Sequence, residues 1–182
     1  MRAGFAALIV VVVAICSLAC ATSGASAAGL VAPRGTCPEG RPGSAAAEEA
    51  TMLCLTNYAR AQAGEGPLEP VAALEGSASE KAADILDCDS FSHYACGREF
   101  TYWIRASGYM SSECWRVGEN LAWGTGEYGT VSSIFRAWLH STEHRENLLD
   151  AEFTQVGIDL TVGRLEGSRG AHVWTQQFGS HC

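Results

Sequence analysis

Three short segments of this 182-residue chain each carry one side chain that can bind a metal ion or move a proton. They are a Phe-Ser-His segment ending at His93, a Gly-Glu-Asn segment centred on Glu119, and a Ser-Thr-Glu-His-Arg segment that contains His144. Neutral imidazole is the commonest protein ligand for borderline metals such as zinc. Two histidines and one carboxylate leave an open coordination position for water, as in catalytic rather than structural zinc sites.

Other interpretations of these residues remain open at this point. A single histidine in a loop is more often solvated or hydrogen-bonded to a backbone carbonyl than functional. A carboxylate near two imidazoles can orient one of them by a hydrogen bond with no metal present. Glu119 and Asn120 could instead close a wall of the site by hydrogen bonding to nearby backbone groups. The sequence has no serine nucleophile elbow, no His-Glu-x-x-His segment and no phosphate-binding or dinucleotide-binding loop.

The first residues of the chain predict export. Arg2 precedes an uncharged run over residues 5–18, and Ala-Ser-Ala at residues 25–27 fits a cleavage site, so we interpret residues 1–27 as a signal peptide. The uncharged run is shorter than the roughly 18–20 residues of a membrane-spanning helix, and we expect no transmembrane segment. We favour a secreted, extracellular protein. The alternative is a lipid anchor at the cell envelope, because the Leu-Ala-Cys sequence ending at Cys20 resembles a lipoprotein processing site.

The remaining chain has the length of one domain. We divide it into an irregular N-terminal arm over residues 28–43, rich in Gly, Pro and Arg, and a folded domain over residues 44–182. The formal charge of −8 disfavours nucleic acid and anionic lipid surfaces as partners, because neither attracts an acidic protein.

Six cysteines remain beyond the signal peptide and Cys20. An even number of cysteines in an exported chain predicts disulfide bonds. A zinc–cysteine cluster would need paired Cys-x₂₋₄-Cys spacing, which these six cysteines lack. The sequence does not decide the connectivity, and our preferred pairs are Cys37–Cys54, Cys88–Cys96 and Cys114–Cys182. The middle pair is the best supported because it closes a short loop, and that loop contains His93.

Apolar spacing and turn residues predict a mixture of helices and strands. The predicted helices cover residues 44–63, 71–86, 102–106, 130–138 and, as a turn or short helix, 142–149. The predicted strands cover residues 117–123, 155–162 and 171–178, with a turn over residues 163–170. Helices and strands do not alternate strictly, which favours an α+β arrangement around an antiparallel sheet over a doubly wound fold.

Together with further motifs, the three segments resemble the CAP superfamily, named for cysteine-rich secretory proteins, antigen 5 and pathogenesis-related 1 proteins. The resemblance covers nearly all of residues 44–182 and is greatest for the secreted bacterial branch. Each motif alone is weak evidence, and the resemblance rests on the motifs occurring together in the order found in the family. The motifs are Leu53-x₃-Asn57-x₂-Arg60-x₃-Gly64-x₃-Leu68, Phe91-Ser92-His93, Gly108-Tyr109, Gly118-Glu119-Asn120, Trp138-x₂-Ser141-x₂-His144-Arg145, Phe153-x₂-Val156-Gly157 and Trp174-Thr175-Gln176-x-Phe178-Gly179.

The resemblance implies a three-layer α-β-α sandwich with a central, mainly antiparallel sheet and a surface cleft. In family members the cleft is lined by two histidines and one or two glutamates, and several members bind zinc or another divalent cation there. The matched motifs place His93, Glu119 and His144 in these positions, as metal ligands and as the candidate catalytic residues.

The chain departs from the family pattern at the rim of the expected cleft. Ser141 stands where animal and plant members have a further glutamate, so the fourth acidic group is missing. Glu143, next to His144, is the candidate to replace it. Trp103 stands where bacterial relatives often carry an arginine, and we expect it to alter the cleft rim.

Two functions follow from these expectations. The preferred one is a secreted, non-enzymatic binding module whose cleft holds a divalent cation and binds a small apolar, lipid or cell-envelope ligand. The alternative is a metal-assisted hydrolase, a peptidase or amidase that acts on the cell envelope. The missing acid at Ser141 weighs against the hydrolase, because one carboxylate would then have to bind the metal and also transfer protons.

Overall fold

The computed structural model describes residues 29–38 and 43–182. The expected signal peptide, Cys20 and part of the 28–43 arm lie outside these residues. Residues 29–38 contain turns and bends without a helix or strand, and Leu30 is fully buried against the main core. Within both described ranges, no helix combines the length and the hydropathy needed to span a bilayer.

The described residues form five α-helices and four β-strands, joined by short 3₁₀ turns. The helices are α1 (Ala45–Ala63), α2 (Ala72–Asp87), α3 (Thr101–Ala106), α4 (Val131–His140) and α5 (Thr142–Leu149). The strands are β1 (Glu69–Pro70), β2 (Trp115–Thr125), β3 (Gln155–Leu165) and β4 (Ser168–His181). All five predicted helices and all three predicted strands are therefore present, with ends that shift by a few residues.

The four strands form one mixed sheet in the order β1-β3-β4-β2. The β3–β4 and β4–β2 pairs are antiparallel, and the two-residue β1 pairs parallel to the start of β3. The α+β class with a mainly antiparallel sheet is confirmed. The long strand β2 lies at the edge of this sheet, and that position decides where the candidate site forms.

Helices cover both faces of the sheet. Trp138, Trp174 and Phe178 belong to a core that β3 and β4 share with α1, α4 and α5, while α2 and α3 pack on the opposite face. Alternation along β4 shows the two sides directly, since successive side chains of a strand point to opposite faces. Gln176 donates to a threonine of α1, and the next residue, Gln177, accepts from a serine of α2. The expected three-layer arrangement is present.

Arg60 joins three elements on the α1 side of the sheet. Its side chain is 1% exposed and donates to four backbone carbonyls, those of Gly66, Leu148, Asp150 and Phe153. The planar guanidinium suits such a set because it presents several donors in fixed directions. Arg60 therefore fixes the end of α5 and the approach to β3 against α1.

The predicted turn over residues 163–170 is wrong in its length. Strands β3 and β4 continue to a tight turn at Glu166 and Gly167, whose φ angles are 48° and 82°. Two consecutive left-handed residues give the turn whose twist matches an antiparallel hairpin. Pattern analysis also missed β1, which has only two residues and ends in a proline.

All three preferred disulfides are formed, which confirms the pairing. Cys37–Cys54 attaches the N-terminal arm to α1, and Cys88–Cys96 closes the loop that contains His93. Cys114–Cys182 joins the residue before β2 to the residue after β4, where the two strands are already paired. In the described residues every cysteine is therefore bonded, which leaves no thiolate there for Cys–His catalysis.

Helix α2 packs so closely on β3 that Gly157 has no room for a side chain: a Cβ there would overlap the backbone of Leu74 and Glu75. We expect Gly157→Ala to lower the free energy of unfolding by about 3 kcal/mol, the upper end for overpacking, because backbone cannot move aside as a side chain can. The matched control is Gly76→Ala on the exposed side of α2, where a Cβ meets nothing within 4 Å. It should raise stability by roughly 0.5–1 kcal/mol. Urea denaturation of both variants measures this, and equal effects would contradict the close packing.

Candidate functional site

Glu119 lies on the edge strand β2, directly opposite Gln177 of β4. Strand alternation turns its side chain toward α2, and only 1% of that side chain is exposed. An ionised carboxylate loses several kcal/mol of hydration when it is buried, so it needs hydrogen-bond donors and a nearby positive charge. The surrounding residues supply both.

The partner of Glu119 on its outer side is His93. The Nδ1 atom of His93 lies 2.7 Å from Oε1 of Glu119, and the imidazole is half exposed. An ionised carboxylate can only accept, so Nδ1 carries the hydrogen and donates it. On the inner side, Gln177 donates from Nε2 to Oε2 of Glu119 at 3.0 Å, and Ser77 donates to the oxygen of the Gln177 amide. Both oxygens of Glu119 are thus engaged.

His144 lies at the start of α5, close to the same strand. Its Nδ1 atom is 2.8 Å from Oγ of Ser141, and its ring stacks on Trp138 with centroids 6.4 Å apart. The backbone carbonyl of His144 accepts from Nδ2 of Asn120 at 3.1 Å. Ser141, at the position where the resemblance implies a glutamate in animal and plant members, therefore contacts His144.

The electrostatic environment of His144 favours the neutral imidazole. Burial lowers the pKa of His144, and the neighbouring His93 lowers that pKa further. Glu143 and the Leu121 carbonyl act in the opposite direction but more weakly. Glu143 is itself exposed, so its effect on His144 is electrostatic. The effect of His93 on the pKa of His144 indicates that the two imidazoles are close enough to interact electrostatically.

Asn120 and Asn147 connect the two halves of the site. Because β2 is an edge strand, side chains of α5 can reach its free backbone groups. Asn147 donates from Nδ2 to Oδ1 of Asn120 at 2.9 Å and lies 3.3 Å from the backbone oxygen of Glu119. The interpretation that the Gly-Glu-Asn motif hydrogen-bonds to nearby backbone groups is therefore correct for Asn120. The side chain of Glu119 points to the opposite face of the sheet, toward α2. Sequence analysis missed Asn147, which lies in no quoted motif.

Two buried residues of α2 hold the loop that contains His93. Lys81 donates from Nζ to the His93 carbonyl at 2.6 Å. Asp84 accepts from Arg98 at 2.5 Å and from the indole N–H of Trp103 at 2.7 Å. Trp103, expected at the rim, thus fixes the base of the loop through Asp84. Sequence analysis did not identify Lys81 or Asp84.

Comparison with known proteins decides the family. Residues 53–178, more than half of the chain, match the cysteine-rich secretory protein family, CAP. The chain belongs to the CAP family. A curated relative, the uncharacterized protein YkwD of Bacillus subtilis (strain 168), is 33% identical over 137 residues. That alignment covers 75% of this chain but 49% of YkwD, so the chain spans about half the length of this relative.

Solved structures share the fold of this CAP domain. An extracellular protein containing a SCP domain from Bacillus anthracis matches with a TM-score of 0.60 at 21% identity, over 74% of this chain and 40% of that one. An outer surface protein from Borrelia burgdorferi matches with a TM-score of 0.57 at 20% identity, over 70% and 87%. A cysteine-rich secretory protein from Staphylococcus aureus gives 0.56 at 17%, over 76% and 40%. At these identities the likeness concerns the fold alone.

The expected metal ligands of the CAP domain are arranged differently from a three-ligand site. Across residues 29–38 and 43–182, no three His, Cys, Asp or Glu side chains are grouped closely enough to hold a metal ion. Glu119 uses one oxygen for His93 and the other for Gln177, so it fits the role of a carboxylate that orients an imidazole. Cation binding by His93 and His144 stays a prediction.

Two cavities in the described part of this CAP domain lie away from the candidate site. Cavities of about 690 and 420 Å³ are lined by residues other than His93, Glu119 and His144. The larger lies between the N-terminal arm, α1 and the start of α4, and the smaller lies between α1, the start of α2 and β3. A ligand at the candidate site would therefore contact a half-exposed imidazole at the surface.

The depressed pKa of His144 makes stability depend on pH. The ordinary value is 6.5, so the unfolded chain binds a proton at this residue more readily than the folded chain does. We expect the contribution of His144 to be fully present above about pH 7 and to be lost as the pH falls below 6.5 toward the folded pKa. Urea denaturation from about pH 5 to 8 should show a smaller acid loss in His144→Gln than in the wild type. Identical pH profiles would contradict this assignment.

Proposed function

We propose that this CAP domain is a secreted binding module whose His93–Glu119–His144 surface binds a divalent cation and a small apolar, lipid or cell-envelope ligand. The three disulfides and the export signature of residues 1–27 support an extracellular location. Two proteins that share the fold are described as an extracellular protein and an outer surface protein, which is consistent with this location.

The contact between His93 and Glu119 is the observation that carries this proposal. A buried carboxylate fixes the orientation and the tautomer of a half-exposed imidazole, which leaves Nε2 as the nitrogen available to a ligand. A carboxylate is one of the usual partners of the second ring nitrogen in histidines that bind metals. His144 supplies a second imidazole whose neutral form is favoured, and neutral imidazole is the form that binds a cation.

Exposed aromatic side chains on the loop that contains His93 and on α3 support a ligand with apolar surface. Tyr94 follows His93 in the disulfide loop and is 64% exposed, and Tyr102 on α3 is 47% exposed. Tyr102 also lies edge-on to Trp103, with Arg98 over both rings. Aromatic rings with an exposed polar end are common in binding surfaces.

Zinc titration by calorimetry tests the cation site on the oxidised protein. We expect one ion to bind per chain and the binding to disappear in His93→Ala and in His144→Ala. Glu119→Gln should weaken binding by about 10- to 100-fold, the usual effect of removing a carboxylate that orients a ligand. His181→Ala is the control, because His181 is exposed and contacts Tyr109 rather than the site. Unchanged affinity in both site histidine variants would refute the assignment.

The same contact favours hydrolysis as a second candidate function. An imidazole held at Nδ1 by a buried carboxylate, with its other nitrogen toward solvent, is oriented as a general base. If the protein cleaves cell-wall peptides or amides, we expect His93→Ala to reduce turnover by at least about 100-fold. Turnover by the folded protein that His93→Ala leaves unchanged would exclude this role for His93.

A further inference from the structure

Strand β3 is paired with β4 along its whole length but with β1 only at its first two residues. The pairing with β1 ends at Pro70, because the next residue, Val71, is already the N-cap of helix α2. In the part of the chain that the structure describes, no other strand lies on this side of β3. The edge of β3 beyond Val156 therefore has no strand partner.

Backbone groups of β3 point toward this edge at every second residue. The Val156 carbonyl accepts from the residue after β1, so the backbone of Val156 faces the edge. Backbone direction repeats every second residue in a strand, so Ile158, Leu160 and Val162 face the same way. The N–H of Leu160 accordingly donates to Oε1 of Glu49 on α1, at 2.9 Å, rather than to β4. A row of N–H and C=O groups without a strand partner is a template for pairing with another chain.

A cavity of about 420 Å³ lies beside this edge, between α1 and the start of α2. Its lining includes Pro70, the last residue of β1, and Ile158 and Asp159 of β3. The space thus adjoins the part of β3 that β1 leaves unpaired. Farther along the strand, Val162 is 54% exposed, so the edge stays accessible beyond the cavity.

The cavity is acidic. Its lining carries three carboxylates, Glu49 from α1, Glu75 from α2 and Asp159 from β3, and no described basic side chain. None of the three forms an ion pair with a described lysine or arginine. Burial raises the pKa of Glu49, its backbone hydrogen bond lowers it, and the charges of Asp159 and Glu75 raise it further. Glu49 therefore lies within electrostatic reach of two other carboxylates, and a cation brought by a partner would reduce their repulsion.

The backbone row and the charge together select the occupant. A second copy of this chain is disfavoured, because its own β3 would bring the same acidic cavity to the contact. A divalent cation is disfavoured because, across both described ranges, no three acidic side chains are close enough to hold one. An extended peptide with basic side chains fits both features, since its backbone pairs with the edge and its cations meet the carboxylates.

We propose that the edge of β3 from Ile158 to Val162 binds an extended segment of another protein that carries two adjacent basic residues. Successive side chains of a strand point to opposite faces of the sheet. One cation of the added strand then faces Glu49, and the next faces Glu75 and Asp159. This edge lies at the opposite side of the sheet from β2, so the proposal does not depend on the proposed function.

A peptide titration followed by NMR of the backbone amides tests this proposal on the oxidised full chain. The probe is an acetylated and amidated peptide, Thr-Val-Arg-Arg-Val-Thr. We expect saturable changes that are largest at the amides of Ile158, Leu160 and Val162. A peptide of the same composition in which a valine separates the arginines places both cations on one face, and it should bind at least about threefold more weakly. No saturable binding at millimolar peptide, or equal affinity for the two peptides, would overturn the proposal.

Strand pairing itself is tested by removing one backbone donor on each side. Val162→Pro removes an outward N–H, and proline is tolerated on the unpaired side of an edge strand. It should weaken binding at least about fivefold. A probe peptide with N-methylated amides at alternate residues keeps both charges and should lose binding to the same extent, even if Val162→Pro does not fold. Binding that survives N-methylation would mean charge attraction without strand pairing and would overturn the proposal.

The role of the carboxylates is tested with neighbouring residues of α1. Glu49→Gln keeps an acceptor for the Leu160 N–H but removes the charge, and we expect about threefold weaker binding. The matched control is Glu48→Gln, because Glu48 lines the other cavity, and it should leave the affinity unchanged. Equal losses in both variants would reflect net charge alone and would overturn the proposal. Edge amides that shift with protein concentration in the absence of peptide would identify a second copy as the occupant, with the same consequence.

Discussion

The burial of Glu119 is the constraint on which the rest of the site depends. An ionised carboxylate in the interior is tolerated only when donors and a compensating charge surround it. His93 and Gln177 occupy its two oxygens, and Lys81 brings a positive charge from α2. These contacts also join the disulfide loop, β4 and α2, so the site and the packing of the α2 layer are one structural unit.

The position of β2 at the edge of the sheet explains how residues from both helical layers meet. Glu119 faces α2, and the next residue, Asn120, faces α5, as alternation requires. In the middle of the sheet these neighbours would be separated by the sheet itself. At the edge, Asn147 donates a hydrogen bond to the backbone of β2. His93 is also close enough to His144 to lower the pKa of His144. The edge is also covered in this way, which protects it from pairing with another chain.

Apolar periodicity predicted the helices and strands, because it is a local signal, and the family resemblance implied the three layers and a cleft containing His93, Glu119 and His144. The sequence did not decide the disulfide pairing, and it left open which imidazole Glu119 would contact. Neither signal predicted Lys81 or Asp84. On an alanine-rich helix such as α2, charged residues three or four positions apart are assigned to the solvent-facing side. The sequence pattern does not show that another part of the protein covers them. The tight turn at Glu166 and Gly167 was missed for a related reason: the Gly-, Ser- and Arg-rich segment around it suggests a long loop, yet most of it pairs as strand.

The presence of Lys81 changes what the two imidazoles can be expected to bind. In a site of two histidines and one carboxylate, the carboxylate contributes a negative charge that strengthens cation binding. Here that charge is shared with a buried ammonium group and with the Nδ1 hydrogen of His93, so a cation near Nε2 gains less electrostatic attraction. The contact with Glu119 therefore fixes the orientation of the His93 imidazole but attracts a cation less strongly than a free carboxylate would. Nε2 of an imidazole oriented in this way accepts a hydrogen bond, so a donor group on the proposed ligand would complement it.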